Sequence, residues 1–112
     1  MSVGLLIISH NNIGESLINT ANVMIKENPL TTKIISAVLE STSDELYENA
    51  TLLINELDQG DGVLILTDLF GSTPSNIAHR LFEKENVSIV SGINLSMLIR
   101  IFNYPHLNLK EI

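Results

Sequence analysis

Short aliphatic runs alternate along this chain with stretches whose apolar residues recur at helical spacing. Residues 3–9 form the first run, apolar at consecutive positions, as expected of a strand covered on both faces. Asn12-Ile13-Gly14-Glu15 then reads as a helix start, with Asn12 as cap and Glu15 three residues on to complete a capping box. Ile13, Leu17, Ala21, Met24 and Ile25 recur as its inward face, and Asn28-Pro29 ends it. The second run is 34–39, followed by a second capping box at Thr42 and Glu45 and an inward face of Leu46, Ala50, Leu53, Ile54 and Leu57. Asp58-Gln59-Gly60-Asp61-Gly62 turns the chain into the third run, 63–66. A loop over 67–72 leads to Thr73-Pro74, a cap followed by Pro in the first helical position, and then to Ile77, Ala78, Leu81 and Phe82 as a third inward face. A fourth run at 87–90 and a fourth helix over 94–102 complete the pattern.

Strands alternating with helices predict right-handed βαβ units. The expected fold is therefore α/β, a small doubly wound parallel four-stranded sheet with helices on both faces, and the expected order is 2-1-3-4, the commonest for so small a sheet. No Pro-, Gly- or Ser-rich linker and no repeat interrupts the 112 residues, so residues 1–112 are expected to form a single domain.

In such sheets ligands bind beyond the carboxyl ends of the strands, where the strand order reverses. For order 2-1-3-4 that point lies between strands one and three. There Ser9-His10-Asn11-Asn12 meets Thr67-Asp68-Leu69-Phe70-Gly71-Ser72-Thr73-Pro74. A His–Asp pair in that crevice has a specific use. The carboxylate takes a hydrogen bond from one ring nitrogen, fixes the tautomer and aims the other nitrogen outward, where it can attack phosphorus or take a proton. The helix start after Gly71 adds free backbone N–H groups and the Ser72 and Thr73 hydroxyls, all suited to phosphate oxygens. Neither loop contains Lys or Arg. A phosphoryl group held only by N–H and O–H donors is held loosely, as suits a group to be passed on.

Composition narrows the chemistry. Six Lys and Arg against thirteen Asp and Glu give a formal charge of -7, which disfavours a nucleic-acid or anionic-membrane partner. Cysteine is absent, excluding a disulfide scaffold, a thiolate metal site and a cysteine nucleophile. The three His are scattered, with no His-x-x-x-His pair, so no metal site and no cofactor are expected. His79 and His106 read as surface residues, and Asn94 first as a helix cap. No apolar run approaches a membrane span, so a soluble cytoplasmic protein is the expectation.

These motifs resemble those of the mannose-family IIA domains of the bacterial phosphoenolpyruvate:sugar phosphotransferase system. His10 follows an aliphatic strand. Leu66-Thr67-Asp68-Leu69-Phe70-Gly71-Ser72-Thr73-Pro74-Ser75-Asn76 is similar to the family's hydrophobic–Asp–Leu–Phe–Gly–Gly–Ser–Pro–x–Asn signature, and Ser91-Gly92-Ile93-Asn94-Leu95 to its Gly-x-Asn-Leu-Pro segment. The resemblance implies that His10 is the phosphorylated histidine and that Asp68 orients its ring. It implies that Thr73 reaches the phosphate beside Gly71 and Ser72. The donor would be the phosphocarrier protein HPr and the acceptor a IIB component, with a membrane permease associated only indirectly and a homodimer possible. Asn11 stands where many members have Gly, Ser72 replaces the second motif Gly, Thr73 replaces Ser, and Ser96 replaces Pro. The chain is expected to be short at its C-terminus relative to the family, leaving the edge of strand four bare or covered by residues 107–112. A regulatory or non-catalytic binding module in the same crevice is the alternative. A receiver phosphorylated on Asp needs paired acids after strand one and a Lys after the last strand, and neither is present.

Overall fold

β1 (Gly4–His10) runs through the middle of a parallel sheet, flanked by β2 (Thr32–Ala37) and β3 (Val63–Thr67), with β4 (Val87–Ser91) beyond β3. The order is the expected one, β2-β1-β3-β4. The helices are α1 (Ile13–Ile25), α2 (Ser43–Leu57), α3 (Thr73–Leu81) and α4 (Leu95–Asn103). The computed structural model describes residues 3–25, 28–38, 41–69, 73–81 and 86–111.

The consecutive aliphatic residues of β1 and β3 divide by parity between two cores. Leu6, Ile8, Val63 and Ile65 pack with Leu46, Ala50, Ile54 and Leu57 of α2 and with Ile77, Ala78 and Leu81 of α3. Leu5, Ile7, Leu64 and Leu66 point the other way, onto Ile18 and Ala21 of α1 and Leu98, Ile101 and Phe102 of α4. Each buried Leu or Ile contributes roughly 1.5–3 kcal/mol, so these two strands anchor the domain. Phe82, read from the sequence as part of the α3 face, lies outside the described residues.

Two sequence expectations need correction. The α1 face is rotated: Gly14, Ile18 and Ala21 are buried, while Ile13 and Met24 are 45% and 60% exposed. Gly14 sets the phase, because a Cβ there would lie 2.7 Å from both Ile7 Cγ2 and Ser9 Oγ. The helix seats its glycine on the sheet and turns Ile13 outward. The N–H of Gly14 donates to Ser9 Oγ at 2.9 Å, so the strand itself helps cap the helix. β2 also starts two residues earlier than the aliphatic run and stops sooner. Thr32 and Lys33 pair with Leu5 and Leu6 although both are polar. An edge strand has fewer buried positions, so its ladder extends beyond its hydrophobic signature.

Thr42 caps α2 as predicted, its Oγ1 accepting the Glu45 N–H at 3.2 Å. The C-terminal segment turns back beside the start of β4. Leu109 packs on the α1–α4 core, and its Cδ1 sits 2.7 Å from where a Cβ on Gly62 would stand. Gly62 has φ +86°, so both its conformation and this contact call for glycine. Further along β4, Val90 is 40% exposed.

Candidate functional site

The β1–β3 ladder ends with Ile8 level with Thr67, so His10 and Asp68 project past its last paired rung at the carboxyl edge of the sheet. Both stems are tied down. His10 still pairs with Ala37 of β2, and the Asn11 N–H donates to the Ala37 carbonyl at 2.9 Å. Thr67, fully buried, donates its hydroxyl to Ser91 Oγ at 3.0 Å and accepts the Ile93 N–H on its carbonyl at 2.9 Å. The tips of β3 and β4 are thus joined immediately before Asp68.

The two side chains meet as the sequence predicts. Asp68 Oδ2 accepts the backbone N–H of His10 at 2.8 Å and lies 2.9 Å from its Nδ1. Oδ1 accepts the Leu69 N–H at 2.8 Å. Burial opposes ionisation of Asp68, but the two backbone N–H groups and the imidazole outweigh it and hold the carboxyl below its ordinary value of 3.8. The group is a carboxylate at neutral pH and can only accept. Nδ1 therefore carries the proton, and the free lone pair of a neutral ring is on Nε2. The His10 side chain is 41% exposed and that of Asp68 11%. The base-orienting group is sheltered while the ring stays open to solvent.

His10 lines a crevice of about 340 Å³ with Asn11, Ala37, Val38, Ser41, Leu46 and Thr73. Thr73 is exposed there at the first residue of α3. It is the one member of the predicted Gly71-Ser72-Thr73 phosphate loop within the described residues; Gly71 and Ser72 lie outside them. Asn94 acts as a cap, its Oδ1 accepting the Met97 N–H at 2.9 Å. Neither His79 nor His106 lines the crevice. Sequence reasoning missed the wall formed by Ala37, Val38 and Ser41. The signal lay in the strand order, since β2 must end beside His10 whenever it neighbours β1.

The family model described as "EIIA-man: PTS system fructose IIA component" matches residues 4–111. The chain belongs to the mannose-type IIA family of the phosphotransferase system. It is 30% identical over 100 residues to the "PTS system mannose-specific EIIAB component" of Escherichia coli K12, covering 88% of this chain and 31% of that protein. The chain thus spans about a third of the length of that curated relative. It is 29% identical over 116 residues to the "Transcriptional regulatory protein LevR" of Bacillus subtilis, covering 98% of this chain and 12% of that one. Among solved structures, the mannose/sorbose specific IIA subunit from Enterococcus faecalis superposes with a TM-score of 0.87 at 25% identity, over 99% of this chain and 83% of that one. This IIA component is therefore a member of a phosphotransferase family with the family's parallel fold. Among its described residues no helix is long and apolar enough to cross a membrane.

Proposed function

We propose that this IIA component is a phosphoryl carrier whose acceptor atom is Nε2 of His10. The observation that carries the reading is the His10–Asp68 pair, with Nδ1 2.9 Å from a carboxylate oxygen and the ring open to solvent. The lone pair of Nε2 forms a bond to the phosphorus of a phosphohistidine on the donor protein, HPr. The donor's P–N bond breaks and its electron pair returns to the donor ring. The His10 proton stays on Nδ1, so the phosphorylated ring is cationic, and the Asp68 carboxylate offsets that charge. The reverse sequence delivers the group to a IIB component. Thr73, with Gly71 and Ser72 of the matching motif, serves the phosphoryl oxygens. The reaction takes place in the cytoplasm on the exposed carboxyl edge of the sheet, and the 1–112 chain acts as one domain.

The test is incubation with phosphoenolpyruvate and the upstream carriers. An acid-labile, alkali-stable adduct is expected in the wild type and in His79→Ala, and none in His10→Ala. Modification of another residue, or none from a competent donor, refutes the reading. The likeness to a transcriptional regulator favours a second reading, in which the phosphorylation state of His10 is a signal and is not relayed onward. Transfer from the adduct to a IIB component separates the two.

A further inference from the structure

Asn11 occupies a conformation that L-residues rarely take, with φ +46°, directly after the proposed acceptor. Glycine meets that demand with the least strain, and Asn is among the few side chains that tolerate it. The turn is made by the backbone, through the Asn11 N–H and the Ala37 carbonyl. The carboxamide takes no part in it. Asn11 is exposed, and no hydrogen bond joins its side chain to another of the described residues. Yet it lines the same crevice as His10 and Thr73. The described lining contains no Lys or Arg, so a phosphoryl group there meets neutral donors only, and an uncommitted amide –NH2 is the donor nearest His10 in the chain.

We propose that the Asn11 carboxamide binds the transferred phosphoryl group, donating from Nδ2 to one of its oxygens in the crevice it lines with His10 and Thr73. This rests on His10 being the phosphoryl acceptor. Hydrogen bonds from neutral donors to a charged group are the stronger class. One such bond corresponds to a change of about tenfold or more in rate.

The discriminating variants are Asn11→Gly and Asn11→Asp. Glycine removes the donor and relaxes the backbone. Asp keeps the shape, removes the donor and adds a charge that repels phosphate. With the phosphoenolpyruvate-fed donor chain, Asn11→Gly is expected to form the phosphohistidine about tenfold more slowly while melting at or above the wild-type temperature. Asn11→Asp is expected to be slower still, and the 31P resonance of the adduct should shift in both variants. Formation rates within twofold of wild type in both variants overturn the proposal. So does slowing accompanied by a lowered melting temperature in both with an unmoved 31P resonance, which assigns Asn11 to the turn alone. A wild type that takes up no phosphoryl group on His10 refutes the carrier reading itself, a result distinct from either.

Discussion

Replacing Asp68 by Asn keeps the shape of the side chain and changes what it can accept. In the native site Oδ2 accepts two N–H groups, from the His10 backbone and from Nδ1, and Oδ1 accepts the Leu69 N–H. A carboxamide has one oxygen. If it faces His10, its –NH2 confronts the Leu69 N–H; if it faces Leu69, both donors of His10 lose their acceptor. The charge that, on the proposed reading, offsets a cationic phosphorylated ring is lost in either orientation. One forfeited charge-assisted hydrogen bond, about 1.5–3 kcal/mol, corresponds to a 10- to 100-fold slower transfer. The unpaired N–H should cost about 1 kcal/mol of stability, a fall in melting temperature of about 4–8 °C, leaving the domain folded. Quench-flow with radiolabelled phospho-HPr measures the rate, and circular dichroism checks the fold. Both uptake and donation should slow, with the transfer equilibrium moving less than either rate. Rates equal to wild type in a folded Asp68→Asn variant refute the orienting role.

The same carboxylate predicts a pH dependence. Its pKa is held below the unfolded value of 3.8, so the stability it contributes is present above that value and is lost as pH falls through the lower folded value. The difference in urea midpoint between wild type and Asp68→Asn should therefore shrink as pH falls below 4. A difference unchanged at pH 3 contradicts this assignment. At the start of α1, Gly14→Ala should destabilise by about 1–2 kcal/mol, overpacking against Ile7 and Ser9 exceeding the gain in helix propensity. Ser9→Ala should cost about 1–3 kcal/mol by leaving the buried Gly14 N–H unpaired. In the double variant one of the two clashes is gone, so denaturant melts should give less than the sum of the single changes.

The parts of the fold visible in the sequence are those whose residues are buried on every side. β1 and β3 show as unbroken aliphatic runs because successive side chains enter different cores. Alternation and handedness gave a parallel doubly wound sheet, and the order β2-β1-β3-β4, expected as the commonest for a sheet of this size, is the one observed, so that His10 and Asp68 meet. What the sequence hid was set by contacts between distant segments. The phase of α1 depends on Gly14 pressing against Ile7 and Ser9, whereas periodicity favours Ile13 and Met24. The polar start of β2 is held by its ladder with Leu5 and Leu6, which no local pattern announces. The wall of the crevice formed by Val38 and Ser41 comes from a strand end that carries no recognisable motif.

A carrier must accept a phosphoryl group firmly enough to hold it and loosely enough to lose it, and the position of Asp68 bears on both. At 2.9 Å from Nδ1 the carboxylate would attract a cationic, phosphorylated ring by about 6 kcal/mol at an effective dielectric of 20. On the proposed reading a phosphoryl group on Nε2 would lie across the ring, roughly 6–7 Å away, and would carry nearly two negative charges. The same carboxylate repels it by about 5 kcal/mol. The two nearly cancel, so on the proposed reading Asp68 would orient the ring without turning a phosphohistidine into an energetic trap. A Lys or Arg against the phosphoryl oxygens would upset that balance toward retention, and the described lining of the crevice has only neutral donors. This is why Asp68→Asn should act on the rates in both directions more than on the equilibrium between donor and carrier.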